Sequence, residues 1–344
     1  MVEKKPPIQT TVVGSYPVPE WLRAHPTKSG LRDATLLVVH TQELAGIDVV
    51  ADGELYRYDL NHPETNGMID YFVGQMSGIQ AQLSRADEQE FRSVVGMAYR
   101  AEPAGVVLGP IGPGTLNLPK ASQTLLEVAR SRTKFTVTSP YMLSKVLLDR
   151  HYGDRRELAM AIARVLAKQV AELETEVVQI DEANLTGHPE DAEWAAAAIN
   201  LVLDRVRGLP AVHLCFGNYG GQTIQRGHYE RLISFINLLH ADHVVLEVAR
   251  RDPAELEYLR GIDARIGIGV GVIDIKDNQV ETPDQVARRI DRAAQVLGPE
   301  RIRYVHPDCG LWMLPRSVAD AKLQALVAGR DRWLGQTKDL NQEQ

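Results

Sequence analysis

The stretch Ala211-Val212-His213-Leu214-Cys215-Phe216-Gly217-Asn218 has the pattern of a buried β-strand that ends in a turn. A short apolar run with the β-branched Val212, closed by Gly-Asn, is typical of such a strand. Side chains two positions apart lie on the same face of a strand, so His213 and Cys215 can reach one point. Imidazole nitrogen and thiolate sulfur are ligands that zinc prefers. The stretch therefore predicts a strand that carries two metal ligands, although such a pair also occurs in ordinary buried cores.

The second of the two cysteines, Cys309, lies in another strand-like stretch that ends in a turn, Tyr304-Val305-His306-Pro307-Asp308-Cys309-Gly310. Two distant segments could then hold one ion together. The two cysteines could instead form a disulfide. Residues 1–9 lack the apolar core of a signal peptide, and a chain without a secretion signal favours thiol chemistry or metal binding.

The composition is that of a globular enzyme-sized chain. The 344 residues are 44% hydrophobic and 24% charged, and the formal net charge is −7. We find no basic run or Lys/Arg stripe that would fit a nucleic acid, and no run of 18 apolar residues that would cross a membrane. We therefore expect a cytoplasmic protein with a small-molecule ligand, and neither a nucleic-acid nor a membrane partner.

Strand-like and helix-like segments alternate along most of the chain. Helix periodicity and end signals predict helices at 31–45, 142–148, 155–173, 190–206, 226–239, 253–260, 283–296 and 316–328. Apolar, β-branched runs predict strands at 10–16, 47–51, 135–141, 177–180, 211–216, 243–250, 266–274 and 304–309. About eight strand–helix units in one chain predict an α/β fold of the (β/α)8 TIM-barrel class, formed as a single domain over residues 1–344.

Residues 79–120 interrupt this alternation after the second unit. Segments 91–99 and 106–108 have strand-like composition, and 109–114 is a cluster of Gly and Pro typical of a rigid turn. We interpret 79–120 as a hairpin-like insertion. A lid and an oligomer contact are both compatible with it.

Polar residues follow many of the predicted strands. In a TIM barrel the carboxyl ends of the strands form the face that carries the chemistry, although strand ends are also where polar residues ordinarily begin. The residues at these positions are Gly14, Ser15, Glu54, Asp181, Glu182, His213, Cys215, Glu247, Asp274 and Cys309.

Six motifs, in the order TTVVGSYP, DGE, QIDEA, HLC, LEVAR and HPDCG, span nearly the whole chain. Together they resemble the zinc-bearing catalytic barrel of the cobalamin-independent methionine synthase family, in a single-barrel form. That family holds Zn²⁺ with His, Cys, Glu and Cys. The resemblance implies His213, Cys215, Glu247 and Cys309 as metal ligands, with Glu247 the most weakly held. Glu247 could otherwise pair with Arg250 or Arg251, and Cys309 could be a buried thiol.

The resemblance implies a zinc-dependent methyltransferase that transfers a methyl group to homocysteine and so makes methionine. Coordination to zinc removes the thiol proton and leaves a nucleophilic thiolate. Ser15, Glu54 and Asp181 match the residues that bind the amino-acid end of the substrate, and two carboxylates suit its ammonium group. We leave Glu182 out of the site as a residue that could equally be structural.

The sequence departs from the family where a His is implicated in protonating the leaving group. Lys276 stands at that position, and a lysine can also donate a proton, so we take Lys276 as the candidate catalytic proton donor. It could otherwise be a solvated turn lysine. Tyr141 is the nearest counterpart of the aromatic residue on which folate stacks.

The sequence does not determine the methyl donor or the oligomeric state. Long members of the family hold a polyglutamate folate with help from a second barrel, whereas the resemblance here covers the catalytic barrel. The donor is either a methylated folate or a methylcorrinoid, free or delivered by a partner protein. The chain could also form an oligomer.

Two other functions remain as alternatives. Epoxyalkane:coenzyme M transferases are related single barrels in which zinc thiolate chemistry opens an epoxide. A sulfonate would gain nothing from Glu54 and Asp181, but Arg57 could meet one, or else pair with Asp59. The second alternative is a non-catalytic zinc-binding barrel. The glycines of 267–271 lack the spacing of a dinucleotide loop.

Overall fold

The computed structural model describes residues 7–59, 67–95, 102–217 and 227–342. The strands are β1 Gln9–Thr10, β2 Val49–Ala51, β3 Ser77–Gln80, β4 Val106–Gly112, β5 Arg132–Thr138, β6 Leu148–Asp149, β7 Val177–Glu182, β8 Leu209–Leu214, β9 His243–Leu246, β10 Gly267–Ile273 and β11 Ile302–Pro307. Eight of these strands form one parallel sheet in the order β1-β11-β10-β9-β8-β7-β5-β2. The predicted TIM barrel is therefore confirmed.

The barrel closes between its first two strands. A single parallel bridge joins Thr11 to Val49, and the Thr11 hydroxyl donates to the Val49 carbonyl at 2.9 Å. Side chains complete this seam, because the Asp48 carboxylate accepts the Thr10 N–H at 2.7 Å and the Arg330 guanidinium at 2.6 Å. The seam thus joins the first strand, the second strand and the last helix of the chain.

Strand β1 is shorter than the predicted segment 10–16. The carbonyl oxygens of Val12 and Val13 accept hydrogen bonds from the buried side chains of Lys134 and Gln179, each at 2.8 Å. These backbone groups therefore turn toward polar side chains of the barrel interior instead of extending the sheet.

Helices follow the barrel strands and cover their outer faces. Their bounds are α1 Glu20–Ala24, α2 Lys28–Ala45, α3 Asp70–Val73, α4 Arg85–Val95, α5 Leu118–Val128, α6 Pro140–Lys145, α7 Arg155–Val170, α8 Ala192–Leu203, α9 Ile233–Leu238, α10 Glu255–Leu259, α11 Pro283–Leu297 and α12 Arg316–Gln342. Short 3-10 helices lie at Leu55–Arg57, Leu185–Gly187, Pro189–Asp191, Tyr229–Leu232 and Pro299–Arg301. The predicted helix 226–239 begins outside the described residues, and Tyr229–Leu232 and α9 occupy its remainder.

Local signals account for several helix ends. Thr27 caps the start of α2. The helix ends at Ala45, where the sequence predicted its end, and Gly46 follows in the left-handed conformation. At α11, Thr282 and Gln285 form a reciprocal capping box that satisfies two backbone N–H groups. No helix in the described segments combines the length and the apolar character needed to cross a membrane.

The insertion after the second strand contains an antiparallel pair, formed by β3 and β4. Strand β4 covers the predicted segment 106–108, whereas its partner β3 was not predicted. The predicted strand 91–99 is wrong where it is described, because residues 91–95 belong to helix α4, and 96–99 lie outside the described residues. Ser84 and Asp87 start this helix: the Asp87 carboxylate accepts the Ser84 N–H at 2.7 Å and the Ser84 hydroxyl accepts the Asp87 N–H at 3.3 Å. Phe91 then packs on Val106 of β4.

Candidate metal centre and substrate site

Three predicted metal ligands meet at the carboxyl end of the barrel. His213 is on β8, Cys215 follows the end of β8, and Cys309 follows β11. The ligand atoms of these residues all lie within 4.8 Å of one another. Both cysteines are free in this structure, which contains no bond between them. The structure thus brings two sulfurs and one imidazole to a single point, as the sequence predicted.

The ring of His213 is oriented for metal binding. Its Nδ1–H donates to the Val245 carbonyl at 2.9 Å, since a carbonyl can only accept. That bond leaves Nε2 as the atom with a free lone pair, and it is buried without a hydrogen-bond partner among the described residues. A metal-bound His typically donates its other nitrogen to a carbonyl or carboxylate in this way. The orphaned nitrogen and two thiols fit a zinc ion.

The two sulfurs are electrostatically coupled. The Cys215 thiol and the His213 ring hold the pKa of Cys309 well below its usual value, against the opposing effect of burial. The Cys309 sulfur and burial raise the pKa of Cys215. Burial lowers the pKa of His213, but interactions with Cys309 and Asp181 outweigh it and raise the pKa overall. Of the two sulfurs, Cys309 is therefore the one that ionises more readily.

Glu247, expected as the fourth ligand, lies beside this group with its carboxylate bound to other donors. One oxygen accepts the Phe216 N–H at 3.0 Å, and the other accepts the Lys276 ammonium at 2.5 Å. Lys276 is therefore not the solvated turn lysine that one interpretation allowed, because its side chain is only 4% exposed. The described arrangement brings Glu247 and the candidate proton donor Lys276 together.

A residue that we did not predict, Asp308, fixes the loop that carries Glu247. Its carboxylate accepts the N–H groups of Val248 and Ala249 at 2.9 and 2.8 Å. Burial and the nearby Glu247 raise the pKa of Asp308 to about 8. Asp308 directly precedes Cys309, so the HPDCG motif supplies both a candidate metal ligand and the anchor of a neighbouring loop. Its position beside a predicted ligand was the signal that could have identified it.

Glu54, a predicted substrate residue, is held in an unusual backbone conformation. Its φ is 59°, and no other non-glycine residue in the described parts of the chain has a positive φ. Such strain is often found at functional sites. One carboxylate oxygen accepts the Thr136 hydroxyl at 2.8 Å, and the other lies 3.1 Å from the Arg57 guanidinium. The carboxylate of Glu54 is thus fixed between Thr136 and Arg57.

Arg57, for which two roles were open, is buried beneath Glu54. Its guanidinium donates to the Thr136 carbonyl and hydroxyl, both at 2.7 Å, and to the Tyr56 hydroxyl at 2.8 Å. These contacts and the Glu54 pair engage the arginine inside the protein. Arg57 therefore supports Glu54.

Ser15 lies against the turn that carries Cys309. Its carbonyl accepts the Leu311 N–H at 2.8 Å, and its hydroxyl is so close to Gly310 that a Cβ there would lie 1.9 Å from it. A Cβ on Gly14 would likewise lie 2.2 Å from a Glu54 oxygen. The Gly-Ser pair after β1 therefore packs against both the turn that carries Cys309 and the carboxylate of Glu54.

Asp181 links the two groups of residues. It is paired with His213 in the register of β7 and β8, and it accepts the Gln179 side-chain N–H at 2.7 Å. Burial and the Glu54 carboxylate raise the pKa of Asp181 to about 7, while His213 and Arg57 act in the opposite direction. Asp181 is thus a buried carboxylate between Glu54 and the metal ligands.

Other predicted residues have structural roles. The Glu182 carboxylate accepts the N–H groups of Asn184 and Leu185 at 2.6 and 2.9 Å, which supports leaving it out of the site. Tyr141 is fully buried and donates its hydroxyl to Asp191 at 2.8 Å, so its ring offers no open face for stacking. Asp274 accepts the Lys276 N–H at 2.8 Å and so shapes the loop after β10.

Lys134 was missed because it lies one residue before the predicted strand 135–141, whereas β5 begins at Arg132. Its ammonium is buried in the barrel and donates to Gln179 at 2.8 Å, which in turn donates to Asp181. Burial lowers the pKa of Lys134 to about 7. The alternating pattern of β5 does not reveal that this position faces the barrel interior.

Comparisons with known proteins identify the family of this chain. The family model described as the catalytic domain of cobalamin-independent synthases matches residues 8–330. A methionine synthase of Thermococcus kodakarensis is 28% identical, with 94% of this chain and 93% of that protein covered. A methionine synthase of Sulfurisphaera tokodaii is 27% identical, with 95% and 93% covered.

Solved structures share the fold. A B12-independent methionine synthase from Shewanella in complex with selenomethionine superposes with a TM-score of 0.79 at 23% identity, covering 97% of this chain and 99% of that chain. A putative vitamin-B12 independent methionine synthase from Listeria monocytogenes has a TM-score of 0.70 at 18% identity, covering 96% and 99%.

Proposed function

Because this chain belongs to the cobalamin-independent methionine synthase family, we propose that it transfers a methyl group to the sulfur of homocysteine and so produces methionine. The observation that carries the proposal is the buried, unpartnered Nε2 of His213 within 4.8 Å of two free cysteine sulfurs. This donor set suits zinc. We propose His213, Cys215 and Cys309 as zinc ligands, with Glu247 as a fourth.

Zinc at this site would supply the deprotonation of the substrate thiol, whose ordinary pKa leaves it mostly protonated at neutral pH. The chain itself would orient the substrate. A catalytic site must free one of its four positions, and departure of Glu247, the most weakly held ligand, would leave room for the substrate sulfur. Alignment of the thiolate with the methyl group accounts for part of the rate acceleration, about 7 kcal/mol or more in well-aligned systems.

The amino-acid end of homocysteine would lie on the Glu54 and Asp181 side of the metal group. Glu54 already has a cation in Arg57, whereas burial and the neighbouring Glu54 raise the pKa of Asp181 to about 7. An ammonium bound there would stabilise the Asp181 carboxylate and lower that pKa. Ser15, which borders the Cys309 turn, would donate to the substrate carboxylate.

Lys276 is the proposed proton donor to the leaving group of the methyl donor. Its ammonium lies at the metal side of the barrel through its contact with Glu247. The donor itself is proposed as a methylated folate or a methylcorrinoid, the latter free or bound to a partner protein.

Epoxide opening by coenzyme M is the second candidate. A sulfonate at Glu54 and Asp181 would meet two carboxylates, and the nearest guanidinium, Arg57, is engaged by Glu54 and Thr136. Charge therefore favours an ammonium substrate over a sulfonate.

A product assay on zinc-loaded protein tests the proposal. Homocysteine and coenzyme M are offered in parallel, each with methylcobalamin, methyltetrahydrofolate or epoxypropane. We expect methionine from homocysteine and one of the two methyl donors. A hydroxyalkyl thioether of coenzyme M would assign epoxide opening instead, and no product with any pair would favour a non-catalytic zinc site.

A further inference from the structure

Glu247 and Lys276 form a buried ion pair at the edge of the metal group. Their carboxylate and ammonium are 2.5 Å apart, and their side chains are 2% and 4% exposed. Glu247 follows β9 and Lys276 follows β10, and these strands are neighbours in the barrel. The pair therefore lies on the same face as the zinc ligands and connects two adjacent loops.

The carboxylate of Glu247 has two protein donors in this arrangement. The second is the Phe216 N–H, 3.0 Å away, from the residue that directly follows Cys215. Each oxygen of Glu247 thus has a protein donor, and one of these donors belongs to the residue that follows Cys215. A buried carboxylate requires such partners, because an unpaired buried charge costs several kcal/mol.

The backbone on both sides of the pair is fixed. Asp308 holds the N–H groups of Val248 and Ala249, directly after Glu247. Asp274 holds the N–H of Lys276 at 2.8 Å. Because both loops are anchored, the carboxylate can change partners by rotation of side chains, without moving the loops.

We propose that Lys276 is a positioning residue that competes with the bound metal for the carboxylate of Glu247. This inference rests on the proposed zinc site. In the absence of the lysine, a carboxylate that left the metal would be buried and unpaired. With the lysine, the carboxylate has a second partner of opposite charge. Lys276 thereby weakens the hold of Glu247 on the metal and keeps one coordination position available to a thiol.

This role is separate from proton donation to a leaving group. Competition for Glu247 acts before any methyl donor binds, so it affects metal and thiol binding alone. Measurements without a methyl donor therefore isolate it from the catalytic role proposed for Lys276.

The test compares Lys276→Met with Lys276→Arg, which keeps the charge. Zinc affinity is measured by chelator competition, and thiol binding is measured from the visible absorption of the cobalt(II)-substituted protein titrated with homocysteine. For Lys276→Met we expect zinc to bind at least about tenfold more tightly and homocysteine at least about tenfold more weakly, because the unpaired carboxylate stays on the metal. Lys276→Arg should stay within about threefold of the wild type.

A double-mutant cycle with Glu247→Gln shows whether the effect passes through Glu247. In the Glu247→Gln background, Lys276→Met should no longer change zinc affinity or the cobalt spectrum. Lys145→Met is the matched control, because Lys145 forms a half-buried pair with Asp191 at 3.0 Å outside the metal group. This control should leave zinc affinity unchanged.

Unchanged zinc affinity and cobalt spectrum in Lys276→Met would overturn the inference, as would an equal change in the Glu247→Gln background. If Lys276→Met does not fold, Lys276→Gln provides the same comparison with a polar neutral side chain. The zinc titrations contain no substrate, so they test Lys276 even if no thiol is methylated. Failure of every methyl donor would count against the proposed function alone.

Discussion

Asp181 and His213 are register partners on the neighbouring parallel strands β7 and β8, so the carboxylate proposed to bind substrate lies next to the imidazole proposed to bind zinc. Each influences the other: His213 acts to lower the pKa of Asp181, and Asp181 acts to raise that of His213. The proposed metal site and the proposed substrate site are therefore coupled electrostatically through this pair.

Removal of a metal ligand should release zinc. We expect Cys309→Ser and His213→Ala to lose bound zinc and all methyl transfer, because the remaining donors no longer complete the site. Zinc content by elemental analysis checks this. His240→Ala is the matched control, since His240 is exposed and pairs with Asp204, and should retain full zinc. A Cys309→Ser protein with normal zinc content would show that the ligand assignment is wrong.

Loss of the Asp181 charge should weaken homocysteine binding. We expect Asp181→Asn to raise the KM for homocysteine about 10- to 100-fold, the range for a lost charged hydrogen bond, with a smaller effect on kcat. Steady-state kinetics measure both. The thiol 4-mercaptobutanoate, which lacks the amine, provides the control, because its KM should be similar in both proteins. Equal losses for both thiols would contradict an ammonium partner.

The glycines after β1 and β11 should not tolerate a methyl group. In Gly14→Ala the new Cβ would meet a Glu54 oxygen, and in Gly310→Ala it would meet the Ser15 hydroxyl. We expect both variants to fold and to lose at least about tenfold in kcat/KM, because a displacement near 1 Å can cost about 100-fold. Gly335→Ala is the control, since a Cβ added at residue 335 would meet no described atom within 4 Å beyond its own stretch of helix. Wild-type kinetics in both variants would argue against Glu54 and Ser15 as substrate residues.

Asp52 should make the fold less stable as pH rises. Burial raises its pKa to about 7, so the folded state holds a proton that the unfolded chain loses near pH 4. Between these values the folded state binds more protons, and its contribution to the free energy of unfolding therefore falls with pH. Asp52→Asn should remove this loss. The difference in free energy of unfolding between Asp52→Asn and the wild type should therefore rise by on the order of a few kcal/mol from pH 4 to pH 8.

Denaturant unfolding at pH 4, 6 and 8 measures this effect. The Asn oxygen can still accept the Glu54 N–H, which is 2.8 Å from the Asp52 carboxylate. Asp33→Asn, at an exposed position, is the control and should show no such trend. A constant difference between Asp52→Asn and the wild type at all three pH values would show that Asp52 is ionised throughout.

The sequence was sufficient to predict the barrel and the convergence of His213, Cys215 and Cys309. Strand periodicity and strand-end position place His213, Cys215 and Cys309 on one face, and barrel closure brings them together. The partner of Glu247 was not predictable, because Lys276 lies 29 positions away and meets it only through the packing of two loops. Segment 91–95 was misread because its β-branched and aromatic residues outweighed the capping pair Ser84 and Asp87 before it.

The contacts at the seam of the barrel include a residue that is synthesised late, Arg330. The Asp48 carboxylate receives Thr10 from the beginning of the chain and Arg330 from near its end, and Arg330 also donates to the Ile8 carbonyl at 3.1 Å. During synthesis the contact between Arg330 and Asp48 can therefore form only after the last helix has left the ribosome. We expect nascent chains that stop before residue 330 to remain open and sensitive to protease, whereas chains released with Arg330 become resistant.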